Sequence, residues 1–242
     1  MNIAKLEKRL GYKFGDSDLL SRALAHRSWA HETFQGESDE KVRGAQNESL
    51  EFVGDSVVGL VIAEQLYRMH PTLSEGDLTL MKHHLVSSTT LARIATSLDL
   101  GEFVSMGRGE EKTGGRKKPA ILADTLEAVI AAIFFDSGYV SATEFILRIF
   151  AKELKKVTPQ SSLDYKTLLQ ETLQAEKLST PMYSLVKTEG LPHARIFFVE
   201  AAWGESRSLG TGGSIKSAEM MAASEALKSL QKQKQKVSKR KD

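Results

Sequence analysis

The chain has 242 residues, of which 41% are hydrophobic and 26% are charged, so it is long enough for one large or two modest domains and disorder is not expected over most of its length. It contains no cysteine, which excludes disulfides, thiolate nucleophiles and sulfur-ligated metals and favours a reducing, cytoplasmic location. Residues 1–156 hold 20 basic and 22 acidic side chains, whereas residues 157–242 hold 13 basic and 9 acidic ones. The acidic front part is therefore suited to binding cations, and the basic rear part to binding a polyanion. The alternative for the rear part is a basic tail that only improves solubility. Neither a signal peptide nor a membrane span is expected, because the start lacks an apolar core and the longest apolar run, 121–135, holds two acidic residues.

The front part, 1–156, is predicted to be an all-α domain, because apolar residues recur at helical spacing and Gly or Pro residues fall between the segments. The predicted helical segments are 3–10, 19–24, 57–66, 78–98, 121–135 and 142–154. The polar stretch 35–46 is predicted to be a surface loop, and the glycine cluster 107–115 and Gly138 are predicted to break helices.

The hydrophobic pattern stops in a short segment, 157–163, which is predicted to be a linker. Beyond it, residues 164–231 are predicted to form a small α+β domain with the order α-β-β-β-α. Its helices are expected over 165–176 and 214–232, and its strands over 181–188, 195–203 and 207–210. The Lys- and Gln-rich residues 232–242 offer little apolar surface to bury and are predicted to be a disordered basic tail.

Two acidic groups stand out in the front part. Glu48, Glu51 and Asp55 share one helical stripe at i, i+3 and i+7, while Asp124 and Glu127 are the only charges of an apolar run, at i and i+3. Burying carboxylates costs several kcal/mol without a positive partner, and neither run contains Lys or Arg, so a divalent cation is indicated. Oxygen ligands without Cys or spaced His suit Mg²⁺ or Mn²⁺ better than Zn²⁺. The alternative is a pair of surface helices with solvated acidic edges.

Polar residues of the rear part fall into three groups that suit a nucleic acid. Four of them share one face of the first predicted helix: Thr167, Gln170, Glu171 and Gln174. Such a row could contact 2′-hydroxyls across an RNA minor groove, or could be only the wet side of an amphipathic helix. His193 lies in the loop between the first two strands, and Ser214 and Lys216 open the last helix, where backbone N–H groups and an ammonium suit a phosphate.

Taken together, these segments resemble the ribonuclease III family along essentially the whole chain. Residues 47–55 read Asn-Glu-Ser-Leu-Glu-Phe-Val-Gly-Asp and match the family signature Asn-Glu-x-Leu-Glu-Phe-x-Gly-Asp. Further blocks stand in the family order at 26–28, 74–77, 107–110, 121–128 and 135–138. The rear part resembles the family's double-stranded-RNA-binding domain at 164–171, 181–183, 193 and 218–219.

The resemblance implies a Mg²⁺-dependent endoribonuclease, with Mn²⁺ as a substitute, that cleaves both strands of double-stranded RNA by two-metal hydrolysis and leaves 5′-phosphate and 3′-hydroxyl ends. It implies processing of rRNA, mRNA and tRNA precursors by a cytoplasmic homodimer that needs no nucleotide cofactor and no membrane. The implied metal ligands are Glu51, Asp55, Asp124 and Glu127, with Asp55 and Glu127 nearest the reacting water and phosphate. Glu48 and Glu75 are implied as auxiliary carboxylates, and Phe52 as a side chain that inserts into the partner subunit rather than into its own core.

Two positions depart from the family pattern. Ser49 stands at a variable position that is often basic, and Ile215 replaces the first of two lysines at the start of the last helix, which predicts weaker RNA binding. Three other functions fit the sequence less well. A non-catalytic double-stranded-RNA-binding or ribosome-associated protein conflicts with the intact carboxylate set. A nucleotide-binding enzyme lacks Gly-x-x-x-x-Gly-Lys-Ser/Thr in 107–115, and a zinc hydrolase lacks His-Glu-x-x-His.

Overall fold

The computed structural model describes residues 3–162, 165–191 and 195–238, with the backbone alone for 160, 161 and 231–238. The chain divides into two compact units, Met1–Ser162 and Leu163–Asp242. The front unit is helical, as predicted. Its helices are α1 Ile3–Leu10, α2 Ser17–Ala23, α3 Arg27–Thr33, α4 Asp39–Ala45, α5 Glu48–Met69, α6 Glu75–Leu85, α7 Ser88–Ser97, α8 Arg108–Lys112, α9 Pro119–Ile149, α10 Ala151–Leu154 and α11 Pro159–Ser162.

Three local predictions in the front unit were wrong. The glycine cluster 107–115, predicted to break helices, contains the short helix α8, and the other two errors involve serine caps. The predicted loop 35–46 contains helix α4, because the Ser38 hydroxyl accepts a hydrogen bond from the Lys41 backbone N–H at 3.3 Å and satisfies one free donor of the first turn. The single segment predicted over 78–98 is two helices, α6 and α7. Ser87 separates them and caps α7 by accepting from the Thr90 N–H at 3.4 Å. Short polar helices with good caps carry little apolar periodicity, so the pattern misses them.

Helix α9 is interrupted at Gly138, which has φ 77° and ψ −174°. This conformation is restricted almost entirely to glycine, so the predicted break at Gly138 is confirmed. Just before the break, the Asp136 carboxylate accepts hydrogen bonds from the Tyr12 hydroxyl at 2.5 Å, the Gly15 N–H at 3.1 Å and the Asp16 N–H at 2.8 Å. The segment between α1 and α2 is therefore fastened to the bend of α9.

The two longest helices of the front unit, α5 and α9, pack against each other at its centre. At their crossing, a Cβ added to Gly54 would lie 1.9 Å from the carbonyl oxygen of Glu127, so only glycine allows this approach. A single apolar core surrounds the crossing, and its fully buried side chains include Leu6, Leu20, Ile62, Leu66, Met81, Leu126 and Phe150. Each such side chain contributes about 1.5–3 kcal/mol by leaving water. The crossing brings the acidic residues of both helices to one place.

The rear unit has the predicted α-β-β-β-α order. It consists of α12 Tyr165–Ala175, β1 Met182–Glu189, β2 Ile196–Trp203, β3 Ser206–Gly212 and α13 Ile215–Ser238. The strands form an antiparallel sheet in the order β1-β2-β3, with a register shift between Leu185 and Lys187. A second, smaller core joins both helices to the sheet through Leu169, Leu173, Trp203, Ala223, Ala226 and Leu227.

The last helix is longer than the sequence predicts. The ordered part of the rear unit was predicted to end at 231, with a disordered tail over 232–242, whereas α13 continues to Ser238. Lys and Gln have good helix propensity, and no Gly or Pro interrupts 232–238, so nothing local stops the helix there. Residues 239–242 lie outside the described part. No described helix is both long and apolar enough to cross a membrane.

Candidate active site

The start of α5 is anchored by Asn47, the first residue of the signature block. Asn47 is buried, its backbone N–H donates to the Ala25 carbonyl at 2.9 Å, and its side-chain Nδ2 donates to the Ala23 carbonyl at 3.3 Å. These bonds fix the first turn of α5 against the end of α2. The position of Glu51, one turn further on, is therefore set by buried backbone contacts rather than by a free surface helix.

Three carboxylates meet where α5 crosses α9. Glu51 on α5 and Asp124 and Glu127 on α9 each offer one ligand oxygen, and these oxygens all lie within 4.8 Å of one another. The Glu127 side chain is buried, with 8% of its surface exposed, and the other two are partly buried. Among the described residues, this is the one group of three or more such side chains that could hold a metal ion. We call it the carboxylate cluster.

The cluster is electrostatically unfavourable without a cation. Burial, together with the charges of Asp55, Glu51 and Asp124, raises the pKa of Glu127 to about 8. Burial and the neighbouring carboxylates also raise the pKa of Glu51, and burial raises that of Asp124. Within the described residues, none of the three forms an ion pair with Lys, Arg or His. Such groups either keep a proton or take up a cation.

The donor set fits a hard divalent cation. All three ligands are carboxylate oxygens, which Mg²⁺ and Mn²⁺ prefer, and the protein has no cysteine to attract a softer metal. The structure therefore supports an acidic cluster able to bind a divalent metal, as the family resemblance implies.

The other predicted carboxylates, Asp55, Glu48 and Glu75, do not belong to the three-residue cluster. Asp55 is exposed and outside the three-residue group, yet its charge contributes to the raised pKa of Glu127. Glu48 accepts a hydrogen bond from the Gln46 amide at 2.8 Å and lies 3.6 Å from the Arg27 guanidinium. Glu75 is exposed on α6 and accepts from the Thr79 hydroxyl at 2.9 Å.

An open cleft of about 520 Å³ leads to the cluster. It is lined by His26, Arg27, Asn47, Glu48, Glu51, Glu110, Lys118, Ala120, Ile121 and Asp124. The sequence did not single out His26, Arg27, Glu110 or Lys118 as site residues. His26 and Arg27, and likewise Glu110, belong to sequence blocks that resemble the family, and that signal could have found them. No block marks Lys118. Burial lowers the pKa of His26, whose Nδ1 is 2.8 Å from the Ser28 hydroxyl.

In the rear unit, the predicted RNA-contacting residues divide into two sets. Thr167, Gln170 and Lys216 line one cleft of about 620 Å³, together with Lys166, Pro181, Tyr183, Ile215, Glu219 and Met220. Glu171 and Gln174 are exposed on α12 but do not line it. The Ser214 hydroxyl accepts from the Ser217 N–H at 3.1 Å at the start of α13. His193 lies outside the described residues.

Phe52 is not a core residue, since 76% of its surface is exposed. Other large apolar side chains are also exposed on the same helix, among them Leu60 at 58% and Tyr67 at 67%. Removing such side chains from water is favourable at about 25 cal/mol per Å² of apolar surface. The exposed apolar stretch of α5 thus suits an interface with another protein surface.

Two family profiles match the chain. A profile described as Ribonuclease-III-like matches residues 16–154, and one described as Double-stranded RNA binding motif matches residues 165–230. The chain is 45% identical over 227 residues to Ribonuclease 3 of Streptomyces coelicolor, covering 93% of this chain and 79% of that protein. It is 41% identical over 234 residues to Ribonuclease 3 of Dehalococcoides mccartyi, covering 96% of each chain.

The front unit also resembles a solved structure. The nuclease domain of a ribonuclease III from Campylobacter jejuni is similar with a TM-score of 0.56 and 40% identity, covering 64% of this chain and 98% of that one. A second structure of that nuclease domain, with a TM-score of 0.56 and 42% identity, covers 62% of this chain and 97% of that one. Its title reports structural flexibility in a region involved in dimer formation.

Proposed function

The chain belongs to the ribonuclease III family and is a double-stranded-RNA endoribonuclease, and we propose that it is Mg²⁺-dependent, with Mn²⁺ as a substitute, and cuts both strands of its substrate. The observation that carries this proposal is the carboxylate cluster, in which Glu127 is buried, Glu51 and Asp124 are partly buried, and all ligands are oxygens. A non-catalytic RNA-binding protein would have no use for such a group, since leaving three carboxylates together is costly.

We propose that Glu51, Asp124 and Glu127 hold the metal, with Asp55 beside them. Two bound divalent ions would supply a water of lowered pKa and neutralise the departing 3′ oxygen, which leaves a 5′-phosphate and a 3′-hydroxyl. The protein's own part is to fix the ligand carboxylates beside a cleft that the RNA strand can enter. The α5–α9 crossing holds the ligands in place, and the Glu127 carboxyl keeps its proton below about pH 8 until a cation replaces it.

We propose that the protein acts as a homodimer whose interface includes Phe52. One carboxylate cluster per chain can serve one strand, so two strands need two copies. The exposed apolar side chains of α5, led by Phe52, support this assembly. Replacing Phe52 by Glu should shift the protein to monomers in sedimentation velocity, while the exposed-surface control Thr33→Glu should leave the oligomeric state unchanged.

We propose that the rear unit grips the duplex by shape and backbone contacts over roughly 16 base pairs, through Thr167, Gln170, Glu171, Gln174, His193, Ser214 and Lys216. Such recognition does not depend on sequence, so structured precursors of rRNA, mRNA and tRNA are all suitable substrates. We propose auxiliary roles for Glu48, which lines the cleft, and for Glu75.

The decisive experiment incubates a long RNA duplex with the wild-type protein, Glu127→Gln and Glu144→Gln, in Mg²⁺, Mn²⁺ or EDTA. Glu144 is an exposed carboxylate on the same helix and provides the matched control. The wild type and Glu144→Gln should give short fragments in Mg²⁺ but none in EDTA, and Glu127→Gln should only shift the duplex on a native gel. Fragments should accept adapter ligation without prior phosphorylation if they carry 5′-phosphates.

Two results would contradict the proposal. A shift without cleavage by the wild type, in both Mg²⁺ and Mn²⁺, would favour the non-catalytic RNA-binding alternative. Equal cleavage by the wild type in Mg²⁺ and in EDTA would show that the reaction needs no metal ion.

A further inference from the structure

Two neighbouring lysines, Lys117 and Lys118, face different cavities. Lys118 lines the cleft that leads to Glu51 and Asp124. Lys117 lines a separate cavity of about 480 Å³, whose other lining residues are Thr96, Asp99, Gly101, Glu102, Arg116 and Leu122. Both side chains carry the same charge on adjacent positions, so they differ mainly in which cavity they enter. This difference makes them a natural test pair.

Lys118 is held in place within the cleft. Its ammonium pairs with the Glu110 carboxylate and donates to the Thr113 hydroxyl at 2.9 Å. An ammonium has three N–H donors, and the contacts made by the described residues use two of them. The Lys118 side chain keeps 45% of its surface exposed, so the remaining donor can reach a ligand in the cleft without breaking the pair.

The segment that carries Lys118, residues 107–118, contains the short helix α8 and is fixed at both ends. At its start, the Gly107 N–H donates to the Ser28 hydroxyl at 2.9 Å and the Arg108 N–H donates to Glu32 at 3.0 Å. At its end, Arg116 donates to the carbonyls of Gly101 at 2.8 Å and Val104 at 3.0 Å. A cation on such a loop loses little entropy when it binds a ligand.

A second cation, Arg27, belongs to the same cleft. Its partner Glu48 is 3.6 Å away, and the two side chains are 66% and 49% exposed. Exposed pairs of this kind contribute little, so Arg27 can exchange Glu48 for a better acceptor. A guanidinium is well suited to phosphate oxygens.

The acidic side chains of the cleft repel an RNA strand, and Lys118 and Arg27 can offset that repulsion. Glu48, Glu51, Glu110 and Asp124 all line it, and a phosphodiester chain entering it is repelled by every carboxylate that has no counter-charge. A metal at the carboxylate cluster offsets this repulsion only at the phosphate beside it. The neighbouring phosphates of the same strand need other cations.

We propose that Lys118 and Arg27 bind the phosphates that flank the scissile one and so position the RNA strand over the carboxylate cluster. This inference rests on the proposed function, because the ligand is the backbone of the duplex that the cluster would cut. Lys118 is the fixed contact and Arg27 the adaptable one. Both are substrate-positioning residues.

The test compares Lys118→Gln with its matched control Lys117→Gln in the full-length protein, with cleavage of one defined duplex in Mg²⁺ as the readout. Lys118→Gln should raise KM roughly tenfold, which is the scale of one charged hydrogen bond. It should also reduce the slope of log(kcat/KM) against log[salt] by about one unit. The distribution of fragment lengths should become broader. Lys117→Gln should leave all three unchanged, and Lys118→Arg should restore them in part.

A purely structural role of Lys118 gives a different result. Breaking the same ion pair from the other side, with Glu110→Gln, should then resemble Lys118→Gln. The phosphate role predicts instead that KM of Glu110→Gln does not rise, because a repelling carboxylate has been removed. Thermal melting of all four variants separates folding defects from binding defects.

The inference is overturned if Lys118→Gln matches Lys117→Gln, or if Lys118→Gln and Glu110→Gln shift KM in the same direction. Should Lys118→Gln fail to fold, Lys118→Arg and Glu110→Gln decide the matter by the same criteria. Absence of cleavage by the wild type in both Mg²⁺ and Mn²⁺ would instead refute the proposed function. A cleaving wild type with an unaffected Lys118→Gln refutes the positioning role alone.

Discussion

The two candidate sites of this protein are built in opposite ways. The carboxylate cluster lies at the close crossing of α5 and α9, where Glu127 is buried and Glu51 and Asp124 are partly buried. The α12 residues predicted to contact RNA are exposed on the surface of a small domain and lie outside its core. A buried cluster that is unstable by itself demands a ligand, whereas an exposed polar row is compatible with many roles. The stronger evidence for function therefore comes from the residues whose placement in the folded protein costs the most free energy.

The largest expected effect comes from disrupting the close packing of α5 against α9 next to the cluster. Gly54→Ala would place a Cβ 1.9 Å from the Glu127 carbonyl oxygen, so α5 and α9 must separate. We expect a loss of at least about 3 kcal/mol of unfolding free energy in urea, together with loss of cleavage. Gly44→Ala is the control, since a Cβ there meets no atom within 4 Å. It should be neutral or stabilise by up to about 1 kcal/mol. Equal stability of Gly54→Ala and the wild type would refute the close packing.

The second effect concerns the proton on Glu127. The pKa of this carboxyl is raised from 4.5 to about 8 in the folded protein, so the unfolded chain releases the proton first as pH rises. The contribution of Glu127 to stability is therefore most favourable below about pH 4.5. It falls between about pH 4.5 and pH 8 and is least favourable above about pH 8. Without metal, Glu127→Gln should be more stable than the wild type by roughly 1–3 kcal/mol at pH 9 and similar at pH 4.

Thermal unfolding in EDTA at several pH values measures this difference, and 1 kcal/mol corresponds to about 2–4 °C for a protein of this size. Glu144→Gln, on the exposed side of the same helix, should follow the wild-type curve. Parallel curves for the wild type and Glu127→Gln would show that the carboxyl ionises normally.

A smaller effect is expected in the exposed region that is predicted to contact RNA. Ile215 is 45% exposed and lines the same cleft as Thr167, Gln170 and Lys216. Ile215→Lys should add one phosphate contact, increase duplex affinity several-fold and steepen the salt dependence by about one unit. Lys216→Gln should do the reverse. The control is Lys228→Gln, because Lys228 is paired with Glu225 further along α13. No change in the salt dependence for either variant would place the RNA elsewhere.

The smallest effect is expected at Glu75. This carboxylate is exposed and bonded to Thr79 within its own helix, so it does not share the electrostatic cost of the cluster. Glu75→Gln should change the single-turnover cleavage rate by no more than about twofold, the scale of a surface substitution. A loss comparable to that of Asp124→Asn would mean that the exposed carboxylate takes part directly in the reaction.

Much of the carboxylate cluster could be predicted from the sequence. Helical spacing put Glu51 on an acidic stripe and paired Asp124 with Glu127, and both features depend only on local geometry. The spacing could not show that Asp55 lies outside the three-residue group, because that depends on where the crossing at Gly54 places each helical turn.

Loop residues and short capped helices were harder to predict. Lys117 and Lys118 are indistinguishable in sequence, and the cavity that each enters depends on the hydrogen bonds that fix the loop. Helix α4 was missed because its stability comes from the Ser38 cap and acidic first turn rather than from apolar periodicity. The α-β-β-β-α order of the rear unit was predicted correctly because β-branched and aromatic residues mark the central strand, β2.

The hydrogen bonds that Asp136 accepts also set an order of events during synthesis. Tyr12 leaves the ribosome early, but its partner follows 124 residues later. At about 5–20 residues per second, roughly 6–25 s separate the two. Through this interval the amino-terminal segment cannot adopt its final attachment, and the bend of α9 that receives it does not yet exist. The front unit therefore closes late, as its last long helix emerges, and slower translation before Asp136 would lengthen the exposure of α1 to solvent and to chaperones.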